Sequence, residues 1–139
     1  MGAVGARARV RRPCVRTLVL DAGALIALER RNRRMLALAD ELHRSRRRAF
    51  VPAGVVAQVW RGSPRQHAVL RLVRAQTVRV EPLTEEVAVQ LGLLLAKSGG
   101  ADVVDAHVAL LARLLRATVV TSDPDDLAAL DPGIDLVVV

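Results

Sequence analysis

Cysteine occurs once in the 139 residues, tyrosine is missing, and phenylalanine and tryptophan occur once each. A lone thiol, Cys14, closes no internal disulfide and builds no thiolate zinc site, so the fold must hold by packing alone. With only Phe50 and Trp60 as aromatic side chains, the chain has almost nothing on which to stack nucleic-acid bases. Long apolar runs are also missing. The longest, from Ala22 to Leu28, falls far short of the roughly 18 residues a bilayer span needs. The Arg-rich start has no apolar signal-like stretch, and a cytoplasmic protein with no membrane partner is expected. His43, His67 and His107 are scattered, with no His-x-x-x-His helix, and His107 is expected as a helix residue near the rim of a site rather than a ligand. Neither Gly-x-Gly-x-x-Gly nor a Walker A motif is present. None of Ser45, Ser63, Ser98 and Ser122 has the surroundings of a hydrolase nucleophile elbow.

What is present is charge, unevenly spread. The net charge is +7, yet residues 81–139 hold ten acidic groups against three basic ones, while residues 17–80 hold thirteen basic against four acidic. The first sixteen residues add five arginines and no acid. A basic half suits a polyanionic partner, and an acidic half suits something that gathers negative charge; nucleic acid and a metal centre satisfy both.

Residues 1–16 lack periodicity and acidic balance, and are expected to form a disordered basic arm before a single domain over residues 17–139. In that domain, brief apolar runs alternate with helical patterns. Thr17 to Leu20 reads as a buried strand, followed by a short helix over Ala24 to Arg30 and a second capped by Asn32. Ala49 to Pro52, Thr77 to Val80, Thr118 to Thr121 and Leu136 to Val139 supply four more strands. Helices are predicted between them from Val55 to an end at Gly62, over Pro64 to Ala75, Thr84 to Leu95 and Asp102 to Arg116, with a short one after Asp123-Pro124. The pattern predicts a three-layer α/β/α sandwich around a parallel sheet of five strands.

In parallel sheets, sites form beyond the carboxyl ends of the strands. Asp21 ends the first strand and Asp123 the fourth, while Asp102 and Asp105, three residues apart, share one face of a first helical turn. Asp21, Asp102 and Asp123 also read as ordinary N-caps, Asp123 being followed by Pro at the first helical position. Asp105 opens a helix apolar enough to be buried, where a carboxylate needs a partner. A cluster of carboxylates without thiol or imidazole suits Mg²⁺, with Mn²⁺ as substitute, and such an ion both relieves the repulsion and activates water for phosphodiester hydrolysis. For Arg30, Arg31, Arg33, Arg34 and Arg61, phosphate contacts and a solvated helix face remain as alternatives.

The segment Val19 to Leu28 resembles the opening strand and helix of PIN domains. Val55 to Gly62 is similar to the family's second motif, Asp102 to Ala106 to its third and Val119 to Asp123 to its fourth, in order over residues 17–139. The compact length is most similar to the VapC-type toxins of bacterial toxin–antitoxin pairs. The resemblance implies a Mg²⁺-dependent endoribonuclease with catalytic and metal-binding Asp21, Asp105 and Asp123, Asp102 as a further acid, and Thr121 or Ser122 hydrogen-bonding them. It also implies RNA as substrate, a homodimer and a cognate VapB-type antitoxin. Where the family's second motif carries glutamate, this chain has Gln58. An amide brings no charge, so a catalytically weak module that binds RNA or an antitoxin without cutting is the alternative. A haloacid-dehalogenase-like phosphohydrolase would want an acid two residues after Asp21, where Gly23 stands.

Overall fold

A computed structural model describes residues 16–139; residues 1–15, with Cys14 and nearly all of the basic arm, lie outside it. Five strands form one sheet in the order β3-β2-β1-β4-β5: β1 (Leu18–Leu20), β2 (Ala49–Pro52), β3 (Val78–Glu81), β4 (Thr118–Thr121) and β5 (Asp135–Val138). Every pairing is parallel. The helices are α1 (Ala22–Glu29), α2 (Arg33–Arg44), α3 (Ala53–Val59), α4 (His67–Val73), α5 (Glu85–Ser98), α6 (Val103–Leu115) and α7 (Pro124–Leu130). The expected α/β architecture is what the chain adopts.

Strand position follows composition. β1 and β4 are buried along their whole lengths, as continuous apolar runs in a parallel sheet should be. The edge strands β3 and β5 carry polar residues and are largely exposed. α1 packs on β1 and β4 with α2 and α4 beside it, and α6 packs on β1, β2 and β4 with α5 and α7 beside it. Between them lies a core that includes Leu18, Leu20, Leu25, Leu28, Met35, Leu42, Leu72 and Leu127. Each fully buried Leu contributes roughly 1.5–3 kcal/mol.

Helix ends match their signals closely. Asn32 caps α2 by accepting from the Met35 amide at 3.1 Å, and Thr84 caps α5 by accepting from Val87 at 3.2 Å. Gly99, at φ 74°, ends α5 in the left-handed conformation that glycine adopts without strain. The helix expected as one piece from Pro64 to Ala75 is instead a 3₁₀ turn, Pro64–Gln66, followed by α4. Gln66 is the reason. Its buried side chain accepts from the Arg61 amide at 2.8 Å and donates to the Val59 carbonyl at 2.6 Å, tying the turn to the end of α3.

Candidate active site

The register of β1 against β4 pairs Leu20 with Val120, so the next residues, Asp21 and Thr121, lie side by side at the carboxyl end of the sheet. Asp21 is held three ways. Its amide bonds the Val120 carbonyl at 3.3 Å, its carbonyl starts α1 by accepting from Leu25, and its carboxylate accepts from the Ala24 amide at 2.9 Å. The side chain therefore caps α1 and still faces the end of the sheet. Burial raises its pKa, opposed by hydrogen bonds from Thr121, Ala24 and Gly23, and the charge of Asp123 raises it further.

Thr121, fully buried, joins two acids. Its Oγ1 accepts from the Asp123 amide at 2.9 Å, and its hydroxyl is a hydrogen-bond partner of the Asp21 carboxylate. Asp123 does not cap α7, contrary to the N-cap alternative for that residue. Its carboxyl instead hydrogen-bonds Asp126, and that bond, with the negative charge of Asp126, raises its pKa. Asp126 escaped the sequence reading. The signal was available, because Asp123 and Asp126 repeat the three-residue spacing of Asp102 and Asp105 across a first helical turn.

Asp102 caps α6 by accepting from the Asp105 amide at 2.9 Å, the role its cap reading anticipated. Asp105 is half-buried, and its carboxyl is pushed up to about 6 by burial, by the charge of Asp102, and by those of Asp126, Asp21 and Asp123. Carboxylates from the ends of β1 and β4 and from the starts of α6 and α7 thus share one electrostatic neighbourhood.

The remaining residues lie around this centre. Ser122 is exposed and packs against Gly23, where a Cβ would meet its Oγ at 2.2 Å. Gln58 is exposed on α3 and lines a groove of about 690 Å³ with Glu29, Arg30, Arg31, Arg61 and Arg65, not with the aspartates. One turn earlier on α3, Gly54 faces Val104 of α6, where a Cβ would lie 3.0 Å from the valine Cγ2. Arg33 and Arg34 are exposed at the start of α2, with the Arg34 guanidinium donating to the Val138 carbonyl at 3.1 Å. That of Arg61 donates to the carbonyls of Ala57 and Trp60 at 2.9 and 2.7 Å, closing the end of α3. His107 is not at the rim: it is buried within α6, and desolvation lowers its pKa against the opposing charge of Glu81.

A set of carboxylate oxygens whose charges raise one another's pKa fits a hard divalent cation. Among the described residues, however, no three Asp, Glu, His or Cys groups are gathered closely enough to enclose an ion. A fit therefore depends on an ion such as Mg²⁺, which takes one or two carboxylates directly and keeps several waters.

The chain belongs to the PIN domain family, whose model matches residues 18–131. Comparison with curated proteins finds no match. Among solved structures, FitAB bound to the IR36 DNA fragment is similar, with a TM-score of 0.58 and 19% identity over 86% of this chain and 93% of that one. PAE2754 from Pyrobaculum aerophilum has a TM-score of 0.57 and 19% identity, covering 88% of this chain and 84% of its own. FitAcB from Neisseria gonorrhoeae has a TM-score of 0.55 and 19% identity, covering 86% and 95%. At these identities the likeness concerns the fold.

Proposed function

We propose that this chain is a Mg²⁺-dependent endoribonuclease, the toxin of a toxin–antitoxin pair, with Mn²⁺ able to replace Mg²⁺. The observation that carries the reading is the convergence of Asp21, Asp105 and Asp123, with Asp102 and Asp126 beside them, at the carboxyl end of the sheet. Asp21, Asp105 and Asp123 would hold the cation, one or two of them directly and the rest through its waters, and Asp102 adds charge close by. Bound there, the cation supplies an activated water and offsets charge on the scissile phosphodiester.

Thr121 fixes the Asp21 carboxylate and the backbone of Asp123 in one orientation, and Ser122 completes the turn between β4 and α7. Arg30, Arg31, Arg33, Arg34 and Arg61 bind the phosphates that flank the scissile bond. Hydrolysis by water makes no use of a 2′-hydroxyl, so RNA as substrate is supported by the resemblance to VapC-type toxins rather than by the chemistry. The same resemblance supports a homodimer, a cytoplasmic setting and inhibition by a VapB-type antitoxin. FitAB, similar in fold, has been solved on DNA, and a DNA-associated complex is proposed for this chain with its antitoxin.

The test is cleavage of a structured RNA by the purified chain with and without Mg²⁺. Cleavage that needs Mg²⁺ and is lost in Asp105→Asn supports the assignment, and metal-independent cleavage overturns it. One observation favours a second reading: Gln58 puts an exposed, uncharged amide on α3. A module that binds RNA or antitoxin without cutting would retain binding and give no cleavage at any Mg²⁺ concentration.

A further inference from the structure

At the other end of the sheet lies a groove of about 900 Å³, where the C-terminal ends of α2 and α4 meet the residues entering β2 and β3. Arg46, Arg48, Arg71 and Arg74 line it with His43 and His67, and no acidic residue does. All six are exposed. Neighbouring arginines are neutralised, Arg44 by Asp40 and Arg47 by Glu41 at 3.2 Å. Among the described residues, the guanidinium groups of the four groove arginines make no hydrogen bond or ion pair, in contrast to those of Arg44 and Arg47.

A concentration of four unpaired guanidiniums in one concavity is unfavourable by self-repulsion and is relieved by a bound polyanion. Arg47, flanked by Arg46 and Arg48, donates to the Arg16 carbonyl at 3.0 Å.

We propose that this groove is a second RNA tract, binding the phosphates of a single strand at the end of the sheet opposite the carboxylates. The inference rests on the RNA reading of the carboxylate site. Apolar lining is confined to Leu42, Leu70 and Ala75, of which Leu42 is fully buried. An acidic peptide would need apolar pockets as well as charge, whereas a nucleic-acid strand presents one charge per nucleotide and needs none. With two aromatic residues in the whole chain, base stacking contributes little, and the tract is sequence-tolerant. α2, twelve residues and so about 18 Å long, runs from the carboxyl end of the sheet back to the groove. That span corresponds to roughly five stacked nucleotides at about 3.4 Å each. RNA of this length occupies one tract, and a strand several times longer reaches both.

The experiment measures binding of fluorescent, unstructured oligoribonucleotides of 5 and 20 nucleotides to the full chain in EDTA, so that the RNA stays intact. In Arg46→Ala/Arg71→Ala/Arg74→Ala, the Kd for the 20-mer at 0.1 M salt should weaken at least ten-fold, and the gain in affinity from 5-mer to 20-mer should largely disappear. The log K versus log[salt] slope should flatten by about 2, at about 0.7 per phosphate contact for three contacts. Lysine at the same three positions should retain the slope. The control Arg44→Ala/Arg79→Ala/Arg113→Ala removes equal charge from ion-paired arginines and should change the Kd less than three-fold.

Equal losses in groove and control variants, or none in either, overturn the tract while RNA binding by the wild type leaves the nuclease reading standing. A wild type that binds neither oligonucleotide overturns both. Tighter binding of a glutamate-rich peptide of matched charge overturns it in favour of a protein partner.

Discussion

Gly23 lies so close to Ser122 that a Cβ atom on it would fall 2.2 Å from the serine Oγ and 3.0 Å from its backbone nitrogen. The start of α1 and the turn after β4 are thereby pressed together, and with them Asp21 and Asp123. In Gly23→Ala, rotation of the Ser122 side chain relieves the first clash but leaves the backbone contact. The variant should lose roughly 1–3 kcal/mol by urea denaturation, as overpacked sites do, and its cleavage rate should fall because the turn carrying Asp123 is displaced. Adding Ser122→Ala should recover part of the stability. If Gly23→Ala is as stable and active as wild type, the closeness of this contact has no bearing on the site.

Asp105 titrates at about 6 in the folded chain, against an ordinary carboxyl near 3.8. A folded-state pKa raised in this way means that the native state binds the proton more tightly than the unfolded one. Metal-free stability attributable to this residue is therefore present below about pH 4 and is lost as pH rises through about 6. Asp105→Asn should raise Tm at pH 7.5 in EDTA relative to wild type, with the difference shrinking toward pH 4. The same variant should lose the Tm increase that Mg²⁺ gives the wild type. Thermal scans across pH, with and without Mg²⁺, check both; a Tm difference independent of pH would remove Asp105 as its source.

Thr121 is fully buried, and its hydroxyl partners both the Asp123 amide and the Asp21 carboxylate. Thr121→Val preserves shape, leaves the Asp123 amide without that partner and takes one hydrogen bond from the Asp21 carboxylate, which keeps the Ala24 amide, at a cost of roughly 1–3 kcal/mol. It should also raise the Asp21 pKa further, because a hydrogen bond that lowers it is gone. Thr121→Ser should restore stability and cleavage. Urea midpoints and the pH–rate profile of the three proteins separate loss of the hydroxyl from loss of the methyl.

Gln58→Glu places a carboxylate on α3, one turn beyond the point where Gly54 meets Val104 next to Asp105. Mg²⁺ affinity and cleavage should both rise. A ten-fold gain corresponds to about 1.4 kcal/mol, and the groove arginines beside Gln58 will hold the gain to that order or below. If Asp102 supplies the charge that Gln58 does not, Asp102→Asn should be more damaging in the natural chain than in Gln58→Glu, measured by Mg²⁺ titration in a double-mutant cycle. Equal effects in both backgrounds would falsify that compensation.

The alternation of elements could be read from the chain because its punctuation is chemical: Asn32 and Thr84 cap the helices they precede, and Gly99 stops the one it follows. The break between the turn at Pro64 and α4 was hidden, since it depends on a hydrogen bond from the Gln66 side chain to Val59, seven residues away. The site was legible in outline for a similar reason. Strand ends put Asp21 and Asp123 where a parallel sheet gathers its ligands, whereas the Asp123 side chain leaves the first amides of α7 uncapped, against what local cap rules favour. His107 escaped because its α6 position is buried by helices and strands distant in sequence.

The central strand β1 is synthesised first of the five, yet its partner β4 lies about a hundred residues downstream. At about 5–20 residues per second, roughly 5–20 s pass on the ribosome between Asp21 and Asp123. Until β4 emerges, no parallel neighbour exists on that side to bring Thr121 against Asp21, and every parallel pairing in the sheet is a slow, non-local event. The acidic centre therefore cannot assemble on any nascent chain that stops short of Asp123. The strand order itself thus sets a time, in the life of each chain, before which its carboxylates are only neighbours in waiting.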